Sequence, residues 1–282
     1  MALRQREARQ MDGRFLEAVA QLSPEAVLVL KGRNLGREAV HRVRESGVPV
    51  TIYYPDNPFW AAGDTGDPLS RLAEADLAII WSERLAGLLR PRARRVEVVP
   101  FGFDSRWYPL SPPGSRREGV AFIGTWSMRR ERFLSALRGL PLTVHGLGWD
   151  RARIGGGPPL TEAAAGHVLR HALVGVNLLH PQNAGAHNMR TREIAASGAV
   201  EVTEPGTDGT PLRDGESCAW FRTPEELREA VLSFLDRPEK AVAVASHGQA
   251  LVAPDTYVRR GELIARLIGD VIAPRRSPVT AP

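Results

Sequence analysis

Apolar segments of strand length alternate with amphipathic helical segments along most of the chain. This alternation predicts an α/β fold in which helices cover the faces of a parallel sheet. In the first part of the chain the predicted strands are residues 26–30, 50–54, 77–81 and 96–100. The predicted helices between these strands are residues 36–46, 69–75 and 83–89.

The alternation stops at residues 101–117, a segment with three prolines and two glycines but no periodicity. Such a segment predicts an interdomain linker. Beyond it the predicted strands are residues 120–123, 142–145, 172–179, 199–203 and 219–221. The predicted helices of this part are residues 129–138, 161–171, 189–197, 224–235, 238–251 and 256–272.

Two α/β domains are therefore expected, residues 1–107 and residues 108–255, with a ligand cleft between them. A C-terminal helix over residues 256–273 is expected to pack back on the N-terminal domain. Residues 274–282 are expected to form a disordered tail.

Composition narrows the class of protein. The 282-residue chain is 43% hydrophobic, which is typical of a globular protein with a full core, and no apolar run approaches the roughly 20 residues of a membrane span. The N-terminus is charged and lacks the apolar part of a secretory signal. The single cysteine, Cys218, fits a reducing compartment, so a cytoplasmic location is expected.

The formal net charge of +5 comes almost entirely from arginines that are scattered among acidic residues. No basic face with interleaved aromatic side chains is visible, so no nucleic-acid partner is expected. A phosphate-bearing ligand, an anionic membrane surface or a partner protein suits this charge better.

A polar loop separates the predicted strand 172–179 from the next predicted helix, and it contains His180 and Asn188. A strand, a polar loop and a helix N-terminus in this order build an anion site at the carboxyl edge of a parallel sheet. Arg190 suits phosphate oxygens, and Glu193 suits two hydroxyls of a ribose. The alternative is one more strand–loop–helix unit that binds nothing.

A second candidate follows the first strand after the linker. Gly124 and Thr125 would let a ligand approach the backbone there, and Arg129 and Arg130 lie at the start of the next helix. The alternative is that Ser127 caps this helix and the arginines form a solvated face.

Two weaker candidates lie elsewhere. A glycine-rich turn with Gly146 and Trp149 would hold a nucleobase, or Trp149 is a packing residue. Asp56, in the N-terminal domain, is a candidate catalytic base toward an acceptor hydroxyl, and His180 is the second candidate catalytic residue. For Asp56 the alternative is an Asp/Asn–Pro turn stabilised by its own side-chain hydrogen bonds.

Several well-known motifs are missing from the sequence. It contains no HExxH, no Walker A loop, no nucleophile elbow and no dinucleotide-binding GxGxxG motif. The seven histidines also lack metal-ligand spacing. Neither a bound metal nor a resident cofactor is therefore expected.

Nine segments share a family pattern, and the most specific is HNMRTREIAASGA at residues 187–199, taken with DTYVRR at residues 255–260. The others are PDNP (55–58), PFGFD (100–104), VAFIGTW (120–126), HGLGW (145–149), VNLLH (176–180), PLRDGESCAWF (211–221) and TPEELREAV (223–231). Over about residues 24–260 the sequence resembles the CgeB-like glycosyltransferases. These enzymes have the GT-B fold, in which two Rossmann-like parallel-sheet domains face a cleft.

The resemblance implies that the C-terminal domain holds a nucleoside-diphosphate sugar without a metal ion. Glu193 would bind the ribose, while Arg190, Asn188 and the helix start would hold the diphosphate. His180 would lie near the phosphates or the sugar. The N-terminal domain would admit the acceptor, whose identity the sequence leaves open.

The sequence departs from the family pattern at two places. Many GT-B enzymes carry a second glutamate eight residues before the ribose glutamate, and this chain has Gly185 there. The N-terminal domain is also short, with about four predicted strands. The alternatives are therefore a non-catalytic nucleotide-sugar-binding scaffold and a GT-B-type sugar-nucleotide epimerase.

Overall fold

The computed structural model describes residues 2–60, 67–114, 117–183 and 185–276. Its internal contacts divide the chain into two compact units. The first unit combines Met1–Pro100 with Gly261–Pro282, and the second is Phe101–Arg260.

The first unit contains a four-stranded parallel sheet with the order β1-β2-β3-β4. The strands are β1 (Val27–Leu30), β2 (Val50–Tyr54), β3 (Leu77–Ile80) and β4 (Val96–Val98). The helices are α1 (Ala2–Leu22), α2 (Arg37–Glu45), α3 (Pro68–Glu74) and α4 (Glu83–Leu89). Four strands agree with the short N-terminal domain that the sequence predicts.

The helix α1 is not predicted by the sequence pattern, because its charged residues hide a short apolar stripe. Phe15, Leu16 and Val19 in its second half pack against the core of the first unit. The carboxylate of Asp12 accepts a hydrogen bond from the Gly36 backbone N–H at 2.7 Å. Gly36 is the N-cap of α2 and has no side chain, so this contact ties α1 to the start of α2 by binding the backbone N–H of the cap residue itself.

The second unit contains a five-stranded parallel sheet and a pair of short strands. The strands are β5 (Val120–Ile123), β6 (Leu142–His145), β7 (Val174–Asn177), β8 (Gly185–Ala186), β9 (Val200–Thr203), β10 (Gly206–Asp208) and β11 (Ala219–Trp220). The helices are α5 (Met128–Ser135), α6 (Glu162–His171), α7 (Met189–Ala196), α8 (Pro224–Leu235), α9 (Pro238–Val252) and α10 (Tyr257–Arg276), whose larger part belongs to the first unit.

The order of the large sheet is β11-β9-β7-β5-β6, and all its pairs are parallel. The chain leaves β5 toward β6 on one side and then returns to β7 on the other. The direction of winding therefore reverses between β5 and β7. At such a switch point the loops beyond the carboxyl ends of the two strands diverge and leave a crevice for a ligand.

The predicted linker is only partly a linker. Phe103 and Tyr108 are buried in the second unit, where they pack with α6, α7 and α9. Phe103 also forms a parallel bridge with Thr256. The boundary between the units therefore falls after Pro100 rather than at residue 107, because these aromatic side chains anchor a segment that its prolines keep irregular.

The C-terminal helix α10 completes the first unit. Its residues Leu263, Ile264, Leu267 and Val271 pack against a buried cluster that includes Leu77. The prediction of a disordered tail is wrong for residues 274–276, which continue α10. The remainder of that predicted tail, residues 277–282, lies outside the described residues.

The close packing of residues 101–114, most of the segment predicted as a linker, can be tested at one glycine of the second unit. A methyl group at Gly166 in α6 would overlap the carbonyl oxygen of Trp107. We expect Gly166→Ala to lower the free energy of unfolding by about 2 kcal/mol or more, measured by chemical denaturation. Gly87→Ala in α4 is the control, since no heavy atom lies within 4 Å of the new methyl group. It should stabilise by up to about 1 kcal/mol. Equal effects of both substitutions would contradict the packing described here.

Candidate functional site

The candidate site lies at the switch point of the second unit. The loop after β5 holds Gly124 and Thr125, and the loop after β7 leads through His180 to the start of α7. The structure therefore brings most of the predicted donor-binding residues to one edge of one sheet.

The start of α7 is arranged in an unusual way. Its N-cap residue Asn188 has extended backbone and makes no side-chain capping bond. Instead the Asn188 amide pairs reciprocally with the amide of Asn177 at the end of β7, with N···O distances of 3.0 and 3.3 Å. The Asn188 side chain therefore does not occupy the first-turn N–H groups of α7, the groups of a helix that favour an anion.

Below this amide pair lies a buried polar network. Asn177 also donates to Thr191 at 3.1 Å and to Glu201 at 2.9 Å. Burial raises the pKa of Glu201 to about 7, although hydrogen bonds from Asn177 and Thr191 oppose the shift. Burial lowers the pKa of His187 to about 4, so this imidazole is neutral at pH 7. His187 donates from Nε2 to the Gly206 carbonyl at 2.7 Å, and Thr191 lies 2.8 Å from its Nδ1.

Arg190 and Glu193 form an ion pair one turn apart on α7, with an N···O distance of 2.6 Å. Burial raises the pKa of Glu193, while the charge of Arg190 lowers it and only partly offsets the burial. Burial lowers the pKa of Arg190, but Glu193, Tyr108 and Glu162 together outweigh this effect and leave the pKa raised. The guanidinium thus stays charged beside the carboxyl group.

Two residues that the sequence analysis misses complete this cluster. Arg190 lies 3.4 Å from the hydroxyl of Tyr108, which donates to Glu162 at 2.6 Å. Tyr108 is buried, and that burial together with the charge of Glu193 raises its pKa. The only sequence signal for Tyr108 is an aromatic residue inside a proline-rich segment. Glu162 gives no signal beyond an acidic first turn of α6.

The loop after β5 is tied to the loop after β7 by Arg130. Its guanidinium donates to the carbonyls of Thr125 and Leu178, both at 2.8 Å. Burial lowers the pKa of Arg130, and the positive charges of Arg129 and Arg190 lower it further. Arg130 therefore lies within electrostatic reach of both arginines. The predicted cap is also present, since Ser127 accepts from the Arg130 N–H at 3.2 Å.

A cavity of about 260 Å³ opens beside this loop. It is lined by Arg129, Leu179, His180, Pro181, Gly185, Glu204 and Pro205. Arg129 forms an ion pair with Glu204, which also accepts from the Leu179 N–H at 2.8 Å. His180 accepts at Nδ1 from the Gln182 N–H at 3.3 Å, so its neutral form carries the proton on Nε2.

The predicted role of Trp149 as a nucleobase platform is wrong. Its indole has no exposed surface and packs against Phe122 in the core, while its Nε1–H donates to the Gly124 carbonyl at 2.6 Å. Gly146, with a φ of 150°, lies so close to Gly124 that any side chain would overlap that carbonyl. Both residues therefore shape the loop after β5 from inside.

Asp56 belongs to the other unit. It follows β2, and its carboxylate forms an ion pair with Lys31, which follows β1. The turn expected as the alternative is also present, since Asn57 accepts from the Phe59 N–H at 3.0 Å. The structure does not place Asp56 among the residues of the second unit.

The described residues contain neither a metal-binding cluster nor a helix that could span a membrane. No group of three or more His, Cys, Asp or Glu side chains in them is arranged to hold a metal ion. Of the helices that the structure describes, none is long and apolar enough to cross a bilayer.

Known proteins resemble both the sequence and the fold. Residues 129–266, nearly half of the chain, match the model of a family described as glycosyl transferase-like. Sucrose-phosphate synthase from Thermosynechococcus elongatus has a TM-score of 0.70 at 16% identity, over 93% of this chain and 78% of that one. The chain has the GT-B fold. No curated protein matches the sequence closely enough to count as a relative.

Two further proteins with a similar fold are a protein solved with bound nucleotides and a protein named as an epimerase. HepE from Anabaena, solved in complex with UDP, has a TM-score of 0.70 at 13% identity, over 92% of this chain and 82% of that one. A complex of HepE with UDP-glucose is similar. A protein named as a UDP-N-acetylglucosamine 2-epimerase from Listeria monocytogenes has a TM-score of 0.60 at 11% identity, over 92% of this chain and 78% of that one.

The pKa of Glu201 predicts a pH dependence of stability. Burial raises the pKa of Glu201 to about 7 in the folded protein, whereas a glutamate in water has a pKa of 4.5. The folded state therefore binds more protons between these values, so this group makes stability fall as pH rises from 4.5 to 7. Glu201→Gln should remove that fall, which amounts to roughly 3 kcal/mol at most.

The measurement is the difference in the midpoint temperature of thermal unfolding between wild type and Glu201→Gln at several pH values from 5 to 8. The difference should move in favour of the variant as the pH rises, whatever its absolute stability. Glu225→Gln, on the exposed surface of α8, is the control and should give a constant difference. Parallel curves for wild type and Glu201→Gln would contradict the assignment.

Proposed function

We propose that this protein is a glycosyltransferase of the CgeB-like type that transfers a sugar from a nucleoside diphosphate to an acceptor still to be identified. The observation that carries the proposal is the start of α7 at the switch point. There an uncapped helix N-terminus stands beside a buried arginine–glutamate pair. The match to a glycosyl transferase-like family over residues 129–266 supports the same class of reaction.

The site offers a separate group for each part of the donor. The first-turn N–H groups of α7 favour the diphosphate, because the helix dipole and unpaired donors both attract an anion. Arg190 and Arg130 add positive charge near that position. Glu193 would accept hydrogen bonds from the two ribose hydroxyls, which would share the carboxylate with Arg190.

The leaving nucleoside diphosphate gains negative charge as the glycosidic bond breaks. Donors fixed in advance around the phosphates stabilise that charge without a metal ion. His180, which lines the cavity, would contact a phosphate or sugar oxygen of the donor. Gly124 and Thr125 would contribute only backbone, on a loop that Arg130 holds in place.

On the acceptor side, Asp56 remains the proposed general base. Its ion pair with Lys31 orients the carboxylate at the carboxyl edge of the first sheet. An acceptor hydroxyl would give its proton to Asp56 as its oxygen becomes the nucleophile. We propose a cytoplasmic location, on the single cysteine alone.

An epimerase is the second candidate, because the epimerase from Listeria shares the fold. A non-catalytic nucleotide-sugar-binding scaffold is the third. Product analysis separates the three. A transferase releases the nucleoside diphosphate, and an epimerase returns a nucleotide sugar with an altered sugar. A scaffold leaves the nucleotide sugar unchanged.

Glu193 provides the sharpest test of the donor site. Glu193→Gln keeps the shape of the side chain but removes its charge, so we expect the affinity for UDP, or for whichever ribonucleoside diphosphate binds, to fall about tenfold or more. The measurement is isothermal titration calorimetry, with Glu225→Gln as the control. Wild type should also bind the ribonucleotide more tightly than its 2′-deoxy form, and the variant should lose this preference. An unchanged preference would place the ribose elsewhere.

Metal independence is tested by chelation. Dialysis against EDTA should leave sugar release from the donor unchanged, because arginine side chains and helix N–H groups take the part of a metal ion. The assay is the rate of nucleoside diphosphate formation with and without added Mg²⁺ or Mn²⁺. A rate that collapses with EDTA and returns with metal would overturn this part of the proposal.

A further inference from the structure

The cavity beside α5 contains a carboxylate that the donor scheme leaves without a role. We call this cavity the Glu204 pocket, and its lining residues are those given above. It lies beyond the carboxyl ends of β7 and β9, next to the first turn of α5. Only 17% of the Glu204 side chain is exposed, and the residue lines the pocket.

Glu204 is held firmly in place. Its Oε2 accepts from the Leu179 N–H at 2.8 Å and from Arg129 at 3.2 Å, and its Oε1 accepts from the other terminal nitrogen of Arg129. A carboxylate has about four acceptor positions. These contacts use three of them, and the fourth, on Oε1, remains for a donor that enters the pocket.

The rest of the pocket suits a small ring with hydroxyl groups. Leu179, Pro181 and Pro205 offer apolar surface for the C–H face of such a ring. At Gly185 no heavy atom lies within 4 Å of the place where a side chain would begin. The absence of a side chain at this position therefore adds to the free space.

The pocket is also close to the proposed diphosphate position. Gly185 lines the pocket and lies three residues before Asn188, the N-cap of α7, while Arg130, next to the lining residue Arg129, donates to the Leu178 carbonyl at 2.8 Å just beyond β7. A ligand with its phosphates at the start of α7 can therefore extend its next group toward Glu204.

We propose that the Glu204 pocket receives the sugar of the donor, and that Glu204 selects a neutral sugar with free hydroxyl groups over a uronic acid. This inference rests on the proposed function. A sugar hydroxyl would donate to Oε1 of Glu204. A uronate carboxylate would be repelled by Glu204, and Arg129 would offer it little compensation because its charge is already paired.

The test compares each nucleoside diphosphate with its glucose conjugate. UDP, GDP, dTDP and ADP are first screened by thermal shift with the wild type, and the diphosphate that stabilises is then titrated alone and as its glucose conjugate. In Glu204→Gln we expect the affinity for the conjugate to fall about tenfold, with the affinity for the bare diphosphate within about twofold of wild type.

The matched variant is Glu225→Gln, which removes a carboxylate from the exposed surface of α8, outside the pocket. If Glu204 contacts the sugar, Glu225→Gln keeps the gain in affinity that the glucose adds, and Glu204→Gln loses it. An equal fall in the affinities for the bare diphosphate and for the conjugate in Glu204→Gln would overturn the proposal, because Glu204 would then act only by fastening α5 to the end of β9. An unchanged gain in Glu204→Gln would overturn it as well.

A second comparison tests the charge of the sugar. Wild type should bind the glucose conjugate more tightly than the glucuronic acid conjugate of the same nucleotide, and Glu204→Gln should narrow that difference. A wild type that prefers the uronate would contradict the inference. If none of the four diphosphates stabilises the wild type, the proposed function itself fails, which is a different result from failure of the sugar contact.

Discussion

The reciprocal amide pair between Asn177 and Asn188 is the contact on which the site depends. It fastens the end of β7 to the start of α7, and it occupies the Asn188 side chain that would otherwise cap the helix. Asn177 is in turn held by Thr191 and Glu201 below it. Polar groups in such a buried network are costly unless they are paired, so the network fixes one geometry. The start of α7 is thereby held in one arrangement without any ligand.

Charge is distributed around this rigid point in pairs rather than as a patch. Arg190 faces Glu193, Arg129 faces Glu204, and Arg130 is shared between backbone carbonyls. The excess of arginine in the sequence therefore does not become an open basic surface at the site. In the proposed function, a ligand with phosphates would meet positive charge that is already oriented, at a smaller cost in ordering than free side chains would impose.

Much of the fold follows from the alternation of apolar segments, because each strand of a parallel sheet is buried on both faces and reads as a short apolar run. The predicted bounds of Val120–Ile123 and Leu142–His145 are confirmed. The loops after β5 and β7 could also be predicted, because their glycine, histidine and asparagine residues follow apolar strands directly. Tyr108, Glu162 and Glu204 could not, because their place in the site comes from tertiary packing alone. The role predicted for Trp149 is wrong, because the sequence pattern of a tryptophan beside a glycine-rich turn is the same whether the side chain faces a ligand or the core.

The path of α10 sets an order of events during synthesis. The second unit is one continuous stretch of chain, whereas the first unit needs Leu263, Ile264 and Leu267 to cover Leu77. On the ribosome the N-terminal sheet thus emerges first but waits with one apolar face open until residues beyond 260 have been made. The half of the protein that begins first is the last to finish, and during that wait its uncovered face is exposed to chaperones and to other chains.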